Sequence, residues 1–324
     1  MNSAPNANTA MWFDLPDALE ELNRKLDAGN ITATQFQSLS HFIRDGYVVL
    51  PEKIPESIID GINFDFDQAA NHREKILLRK GGEYTHPGSL GIVGRRKRVI
   101  DFYVPCHAAL QAVLAPPITN FLSLLYNEAP LAFQALLFQF GSQQAMHQDP
   151  AYVVTDHPPA LTASWIALED VQQGSGELAY YRGSHHGIDV RFAGGKKVWI
   201  RNVDDKETNL DYMDNLVQTC ENAGLQKETF LAKKGDILIW HSALVHGGGE
   251  IHNKELTRRS LVTHYCPASG KPNYFNIHKD SICKRPFAGG FYSSRHYDVR
   301  PESNNPYPVF TGGKDISFRV DDEE

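Results

Sequence analysis

The chain has 324 residues, 41% hydrophobic and 22% charged, and a formal net charge of −7. That composition is globular and rich enough in apolar residues for a sizeable core without disulfides, and its acidic balance argues against a general nucleic-acid binder. No apolar run reaches the roughly 18 residues a membrane span needs, so none is expected.

Met1 to Ala10 is polar and small, unlike a signal peptide, and reads as a flexible tail. Asp14 and Pro16 then suit the start of a first helix, in which Leu15, Leu19, Leu22 and Leu26 recur at helical spacing before Gly29. A second helix is expected over Ala33 to Arg44, ended by Gly46, followed by a short strand over Tyr47 to Leu50. A third is expected over Pro55 to Leu78, interrupted at Gly61, and a fourth over Pro117 to Tyr126.

From Leu131 the pattern changes to short β-type segments: Leu136–Phe140, Ala151–Thr155, Leu161–Leu168, Leu178–Tyr181, Thr229–Leu231, Asp236–Trp240 and Ser260–Tyr265. Lys196 to Gly224, polar and weakly periodic, reads as an insertion between strands. Helices first and strands after predict an α+β fold with a mainly β core, a jelly roll or double-stranded β-helix buttressed by N-terminal helices. The expected layout is a tail over 1–10 and one domain over 11–324. Its parts are a helical buttress to about 130, a β core over about 131–268 with an insertion near 190–228, and a C-terminal extension over about 269–324.

Four scattered cysteines, Cys106, Cys220, Cys266 and Cys283, form no Cys-x-x-Cys pair, which fits reduced thiols in a cytoplasmic protein better than a zinc ribbon. The histidines carry more information. In Gln144-Ala-Met-His147-Gln-Asp149, alternation along an extended chain directs His147 and Asp149 to one side, supplying two members of a 2-His-1-carboxylate iron site. A third ligand must come from a distant strand. Gly235-Asp-Ile-Leu-Ile-Trp-His241-Ser-Ala-Leu-Val-His246-Gly-Gly-Gly offers His241 and His246, and the glycines directly after His246 favour it by permitting a sharp turn beside a buried metal. Arg258 opens the next strand and suits a buried, bidentate carboxylate contact, whereas Arg259 should face the other way.

Taken in order, His147-Gln148-Asp149, Trp165-Ile-Ala-Leu-Glu-Asp170, Gly176-Glu-Leu178, Gly183-Ser-His185-His-Gly187, Gly235-Asp236, His246-Gly247 and Arg258 resemble the phytanoyl-CoA dioxygenase family. Phe42-Ile-Arg-Asp-Gly46-Tyr-Val-Val-Leu50 is similar to that family's N-terminal signature, so the resemblance runs from Phe42 to Tyr265. It implies a cupin-like core, Fe(II) held by His147, Asp149 and His246, and 2-oxoglutarate anchored by Arg258, with Gln148 and Trp165 lining its pocket. It also implies consumption of O2, release of succinate and CO2, and a small-molecule substrate. A carboxylate at Asp149 implies hydroxylation, since related halogenases lack one there. His246-Gly-Gly-Gly-Glu replaces the family's usual His-Gly-Ser, and the gap to the arginine is about one residue longer, which leaves Arg258 and Arg259 both open as anchor.

Arg73, Lys75, Arg79, Lys80, Arg95, Arg96, Lys97 and Arg98 crowd one stretch of an acidic chain, which suits either a solvated basic face or a site for an anionic or acyl-carrier substrate. His185, His186, His252 and His264 are possible pocket residues. Pro286 to Tyr297, aromatic and glycine-rich, is expected over the barrel mouth or at a dimer contact. Two rival readings use the same residues: a metal-dependent hydrolase, which has no need of a buried Arg258, and a non-catalytic jelly-roll binding protein.

Overall fold

The computed structural model describes residues 11–69, 75–80, 83–85, 94, 97–155, 160–199, 204–272 and 283–301. Two amphipathic helices, α1 (Ala18–Asp27) and α2 (Ala33–Asp45), lead into strand β1 (Tyr47–Val49). Thr32 starts α2 with a capping box, accepting from Gln35 N while the Gln35 side chain accepts from Thr32 N. Gly46 ends it in the left-handed region at φ +80°, where a Cβ would come within 2.5 Å of His185 Nδ1.

The first helix starts later than its leucine spacing suggests. Trp12–Asp14 form a separate 3-10 turn, and Asp17 precedes α1 without a side-chain capping bond. Asp14 instead accepts from His241 Nε2 at 3.0 Å, so a tertiary partner takes the side chain that looked like a cap.

Helix α3 (Glu56–Gln68) runs straight through Gly61, where an added Cβ would lie 3.1 Å from Ala108 Cβ. The helix stops well short of Leu78. Leu77–Lys80 is strand β2, which pairs with β3 (Glu83–Thr85) and β4 (Lys97–Ile100). Helices α4 (His107–Val113) and α5 (Pro116–Tyr126) complete the buttress. No single helix among the described residues is long and apolar enough to cross a membrane. The apolar α4–α5 pair, bent by 41°, is packed into the main core.

The β core is built from β5 (Pro130–Phe138), β6 (Thr162–Ala167), β7 (Leu178–Tyr181), β8 (Lys227–Phe230), β9 (Ile237–His241), β10 (His246–Gly248) and β11 (Ser260–Pro267). One ten-stranded sheet has the path β1-β9-β6-β11-β5-β4-β2-β3, and a second sheet has the order β10-β7-β8. Every residue of β5, β6 and β9 is buried, because one face of the large sheet meets the helices and the other closes over the second sheet. Two opposed sheets with helices outside one of them give the expected α+β, jelly-roll architecture.

Ala151–Thr155 is not a strand. Asp149–Ala151 form a 3-10 turn, with Pro150 fixing its first turn, and Thr155 makes only an isolated bridge to Pro272. The polar insertion contains a 17-residue helix, α6 (Lys206–Asn222), started by Asp205 accepting from Thr208 N at 2.6 Å. Only Tyr212, Leu216 and Cys220, one residue per turn, are buried on it, against Met146, Tyr181, Phe192 and Val245. So narrow an apolar stripe leaves a weak periodic signal.

The C-terminal segment joins the large sheet. The hairpin β12 (Arg285–Phe287) and β13 (Gly290–Tyr292) lies along β5, with Phe291 and Tyr292 running parallel to Leu131 and Ala132. Ser294 Oγ and His296 Nδ1 reach the buried Asp101 Oδ2 at 2.6 and 2.9 Å, while Asp101 Oδ1 accepts from Ala135 N at 2.8 Å. One carboxylate thus fastens β5 and the C-terminal segment together. Asp101→Ala should destabilise the protein by about 3 kcal/mol in urea unfolding, because it strands several buried donors, while Ser294→Ala should cost about 1 kcal/mol.

Candidate metal centre

His147 and His246 lie 99 residues apart in sequence but are direct backbone partners: His147 N donates to His246 O at 2.9 Å and His246 N to His147 O at 3.0 Å. Directly opposed residues in an antiparallel pair send their side chains to one face. Both imidazoles therefore leave the same side, with ring centroids 4.4 Å apart. Asp149 N donates to Ser242 O at 3.0 Å, which continues the seam by two residues and brings the carboxylate to the same point.

Asp149 Oδ1 stands 3.8 Å from His147 Nε2 and 3.6 Å from His246 Nε2. One donor atom from each of the three residues lies within 4.8 Å of the others, and all three residues are buried. His147 Nδ1 donates to Ala145 O and His246 Nδ1 to Leu244 O, each at 2.9 Å, which leaves both Nε2 atoms unprotonated on the side of the carboxylate. Burial, followed by the charge of His246, pushes the His147 pKa down to about 3, so its imidazole stays neutral. Burial alone would raise the Asp149 pKa, but His246, His264 and His147 hold it below the usual carboxylate range. Trp240 Nε1 donates to Asp149 Oδ2 at 2.9 Å and so turns Oδ1 toward the histidines. Two imidazoles and one carboxylate on one face match the donor set of non-haem iron(II), and the other side opens into a cavity of about 1000 Å³.

Arg258 lines that cavity yet is only 2% exposed. Its Nη1 donates to Gly176 O at 3.1 Å and its Nη2 to Ser260 Oγ at 3.3 Å, while Nε is buried without a partner. Its guanidinium lies over the rings of Trp165 and Phe138, at 5.6 and 5.7 Å from their centroids. Burial pushes its pKa down to about 10, so it stays charged at neutral pH. Arg259 takes the opposite face of the chain and donates to Asp67 at 2.7 Å. Alternation thus places Arg258, not Arg259, in the cavity.

Trp165 lines the cavity as well, with its Nε1 buried and unpartnered. Gln148 does not line it. Its amide donates to Ile188 O at 3.1 Å and Ala243 O at 2.7 Å, on the far side of the seam. The alternation that brings His147 and Asp149 together sends the residue between them the other way.

Among the remaining histidines, His241 is held outside the site. Its Nδ1 accepts from Ala243 N at 3.0 Å and its Nε2 faces Asp14. His185 and His186 both donate to Ile43 O, and His252 is exposed. Of the four pocket candidates only His264 lines the cavity.

Trp240, Gln144, Tyr152, Trp199 and Asn209 line the cavity too, and the motif spacing did not single them out for it. Gln144 donates to His147 Nε2 at 2.9 Å and accepts from Arg98 Nη2 at 3.2 Å. A signal for Trp240 was present: it precedes His241 on an otherwise aliphatic strand, and buried indoles usually find an acceptor.

The glycines after His246 serve a purpose different from the one expected. Gly247 and Gly248 are not left-handed, but a Cβ on either would meet the 142–145 segment, at 2.8 Å from Gln144 O and 2.6 Å from Ser142 Oγ. They allow close approach of two backbones, which the His147–His246 pairing requires.

The phytanoyl-CoA dioxygenase (PhyH) family model matches residues 42–260. The chain belongs to this family. A curated relative from Oryza sativa subsp. japonica, phytanoyl-CoA dioxygenase 1, is 29% identical over 153 residues, 46% of this chain and 49% of that protein. The match thus spans about half the length of that relative. Among solved structures, the epimerase SnoN in complex with Fe3+, alpha ketoglutarate and nogalamycin RO superposes with a TM-score of 0.55 at 18% identity. That alignment covers 87% of this chain and 97% of SnoN. EctD from S. alaskensis with bound Fe gives a TM-score of 0.50 at 15% identity, covering 74% and 78% of the two chains. At these identities both confirm the double-stranded β-helix fold.

Gly247→Ala should force the two strands apart and weaken divalent-metal binding at least tenfold in equilibrium dialysis. Gly187→Ala, with no atom within 4 Å of the added Cβ but strained at φ +77°, should lower the thermal midpoint slightly and leave metal binding unchanged.

Proposed function

We propose that this protein is an Fe(II)- and 2-oxoglutarate-dependent oxygenase that hydroxylates an aliphatic C–H bond of a small, anionic or acyl-type substrate. The observation that carries this reading is Arg258: a charged, buried guanidinium with an unpartnered Nε, in the cavity that the three-residue metal site opens into. Glu177 and Glu169 act on this charge without bonding to it, and a ligand carboxylate in direct contact would remove the remaining cost of burying it. A hydrolytic metal site would have no use for it, which sets the metal-dependent hydrolase behind, and the complete ligand set beside it does the same for a silent binding module.

His147, Asp149 and His246 would hold the iron, which with 2-oxoglutarate and O2 supplies the oxidising chemistry and yields succinate and CO2. Arg258 would bind the far carboxylate of 2-oxoglutarate, with Trp165 as a flat wall behind its guanidinium. The protein's own contribution is positioning and exclusion of water, for which the buried strands β5, β6 and β11 provide a dry floor. Val262 and Leu136, opposite each other in the β11–β5 register, make the middle of that floor apolar.

Substrate charge is read by two further arginines of the cavity, of which Arg98 lies over the same Phe138 ring as Arg258. Arg79 and Arg98 are paired across β2 and β4 and both line the cavity, so a carboxylate or phosphoryl group entering there meets two guanidiniums. Of the basic residues that suggested this in the sequence, Arg73, Arg95 and Arg96 lie outside the described residues.

Anaerobic addition of Fe(II) and 2-oxoglutarate to the metal-free protein should produce a visible charge-transfer band that needs both additions and is lost in His246→Ala. Arg258→Ala should raise the 2-oxoglutarate concentration needed for the band by about 100-fold, the scale of breaking a buried charged contact, with Arg258→Lys intermediate. A folded, iron-loaded protein without the band would remove the co-substrate. In a substrate screen scored by succinate release, free acids should outperform their methyl esters, and Arg98→Gln should abolish that preference.

A further inference from the structure

Three imidazoles face the metal-directed oxygen of Asp149. Besides His147 and His246, His264 Nε2 stands 3.6 Å from Asp149 Oδ1. His264 is 4% exposed, sits on β11 opposite Gln134 of β5, and lines the cavity. What separates it from the other two is the partner of Nδ1. Those of His147 and His246 have a carbonyl to donate to, whereas that of His264 is buried with no partner. A neutral imidazole carries one N–H, and a buried N–H without an acceptor is the costlier orphan. The proton of His264 therefore belongs on Nε2, the nitrogen that faces the carboxylate.

We propose that His264 is the positioning residue for Asp149: its Nε2–H donates to Oδ1 while Trp240 Nε1 donates to Oδ2, so that the carboxylate is clamped at both ends. This rests on the metal-site reading above. The backbone contacts of Nδ1 divide the imidazoles into two kinds. Two present lone pairs and can ligate, and one presents an N–H and cannot. The 3.6 Å separation is longer than a hydrogen bond, so the clamp is complete only when the pair closes to about 3.2 Å or less. Clamped in this way, Asp149 would offer a bound metal a single oxygen, Oδ1.

The test compares the metal-free wild type, His264→Ala and His264→Gln, the last keeping an N–H donor at similar reach. Mn(II) affinity is read by electron paramagnetic resonance of the free ion, without 2-oxoglutarate, and the thermal midpoint of each metal-free protein is recorded alongside. His264→Ala should bind Mn(II) about tenfold more weakly, the usual effect of removing a partner of a ligating carboxylate, and His264→Gln should recover most of it. With Cu(II) as probe, spin-echo modulation should count two coordinated imidazoles in both wild type and His264→Gln.

Unchanged Mn(II) affinity in His264→Ala would overturn the proposal. So would equal losses in Ala and Gln variants, which mark a packing role, or a third coordinated imidazole in the wild type, which marks a ligand. If His264→Ala fails to fold, the Gln variant decides alone: wild-type affinity supports the clamp and a tenfold loss refutes it. Absence of the 2-oxoglutarate band in a wild type that still binds Mn(II) would fall on the proposed function and leave this inference standing.

Discussion

The site depends on one short seam, the mutual backbone pairing of His147 with His246. Two hydrogen bonds, at 2.9 and 3.0 Å, hold residues from remote parts of the chain face to face. Pairing fixes more than proximity. It sets both imidazoles on the same side and carries Asp149 to the same point two residues later, because side-chain direction in extended backbone has period two. The absence of side chains at Gly247 and Gly248 is part of the same constraint, since the seam could not close against even a methyl group there.

That period also accounts for which neighbours take part. Gln148, between two inward residues, reaches the carbonyls of Ile188 and Ala243 instead of the cavity. Arg258 enters the cavity while Arg259 crosses to Asp67 on the helical side. Each pair of adjacent residues has one member in the site and one that ties the strand to its surroundings. A one-residue slip of β11 against β5 and β6 would exchange the two arginines, so the long registers of β11, with eight partners on one side and six on the other, protect the position of one charge.

Much of the fold was legible because hydrophobic periodicity and turn residues act locally: α2 with its capping box and Gly46, and the strands that became β6, β7, β9 and β11, follow from their own residues. The misreadings share a cause. Asp14 resembled a cap and Leu77 and Leu78 resembled the end of a helix, but tertiary partners on β9 and β4 claimed them. Helix α6 buries so few positions that its stripe hardly registers. In the site, His147, Asp149, His246 and Arg258 were visible as residue types at telling spacings. Trp240 and Gln144 were not singled out, and His264 was only one of four possible pocket histidines, since their parts are set by distances between strands and by what else each side-chain nitrogen can reach.

The six residues from His241 to His246 concentrate these constraints. His241 ties the segment to Asp14 ahead of the first helix, and its backbone N–H donates to Gly46 O at the end of α2. Ser242 O accepts from Asp149 N, Ala243 O from the Gln148 amide, and Leu244 O from the Nδ1 of His246. Val245 N donates to Ser184 Oγ in the turn that also carries His185. Consecutive carbonyls of one loop thus orient the ligand pair, the residue between its members and the distant histidine. The donors on the same loop lock it to the helical buttress and the second sheet. The N-terminal helices therefore act on the metal site through this loop, although none of their residues lines the cavity. A ligand set assembled from strand ends needs such bracing, because a turn bonded only within itself would let His246 drift while the sheets stayed intact.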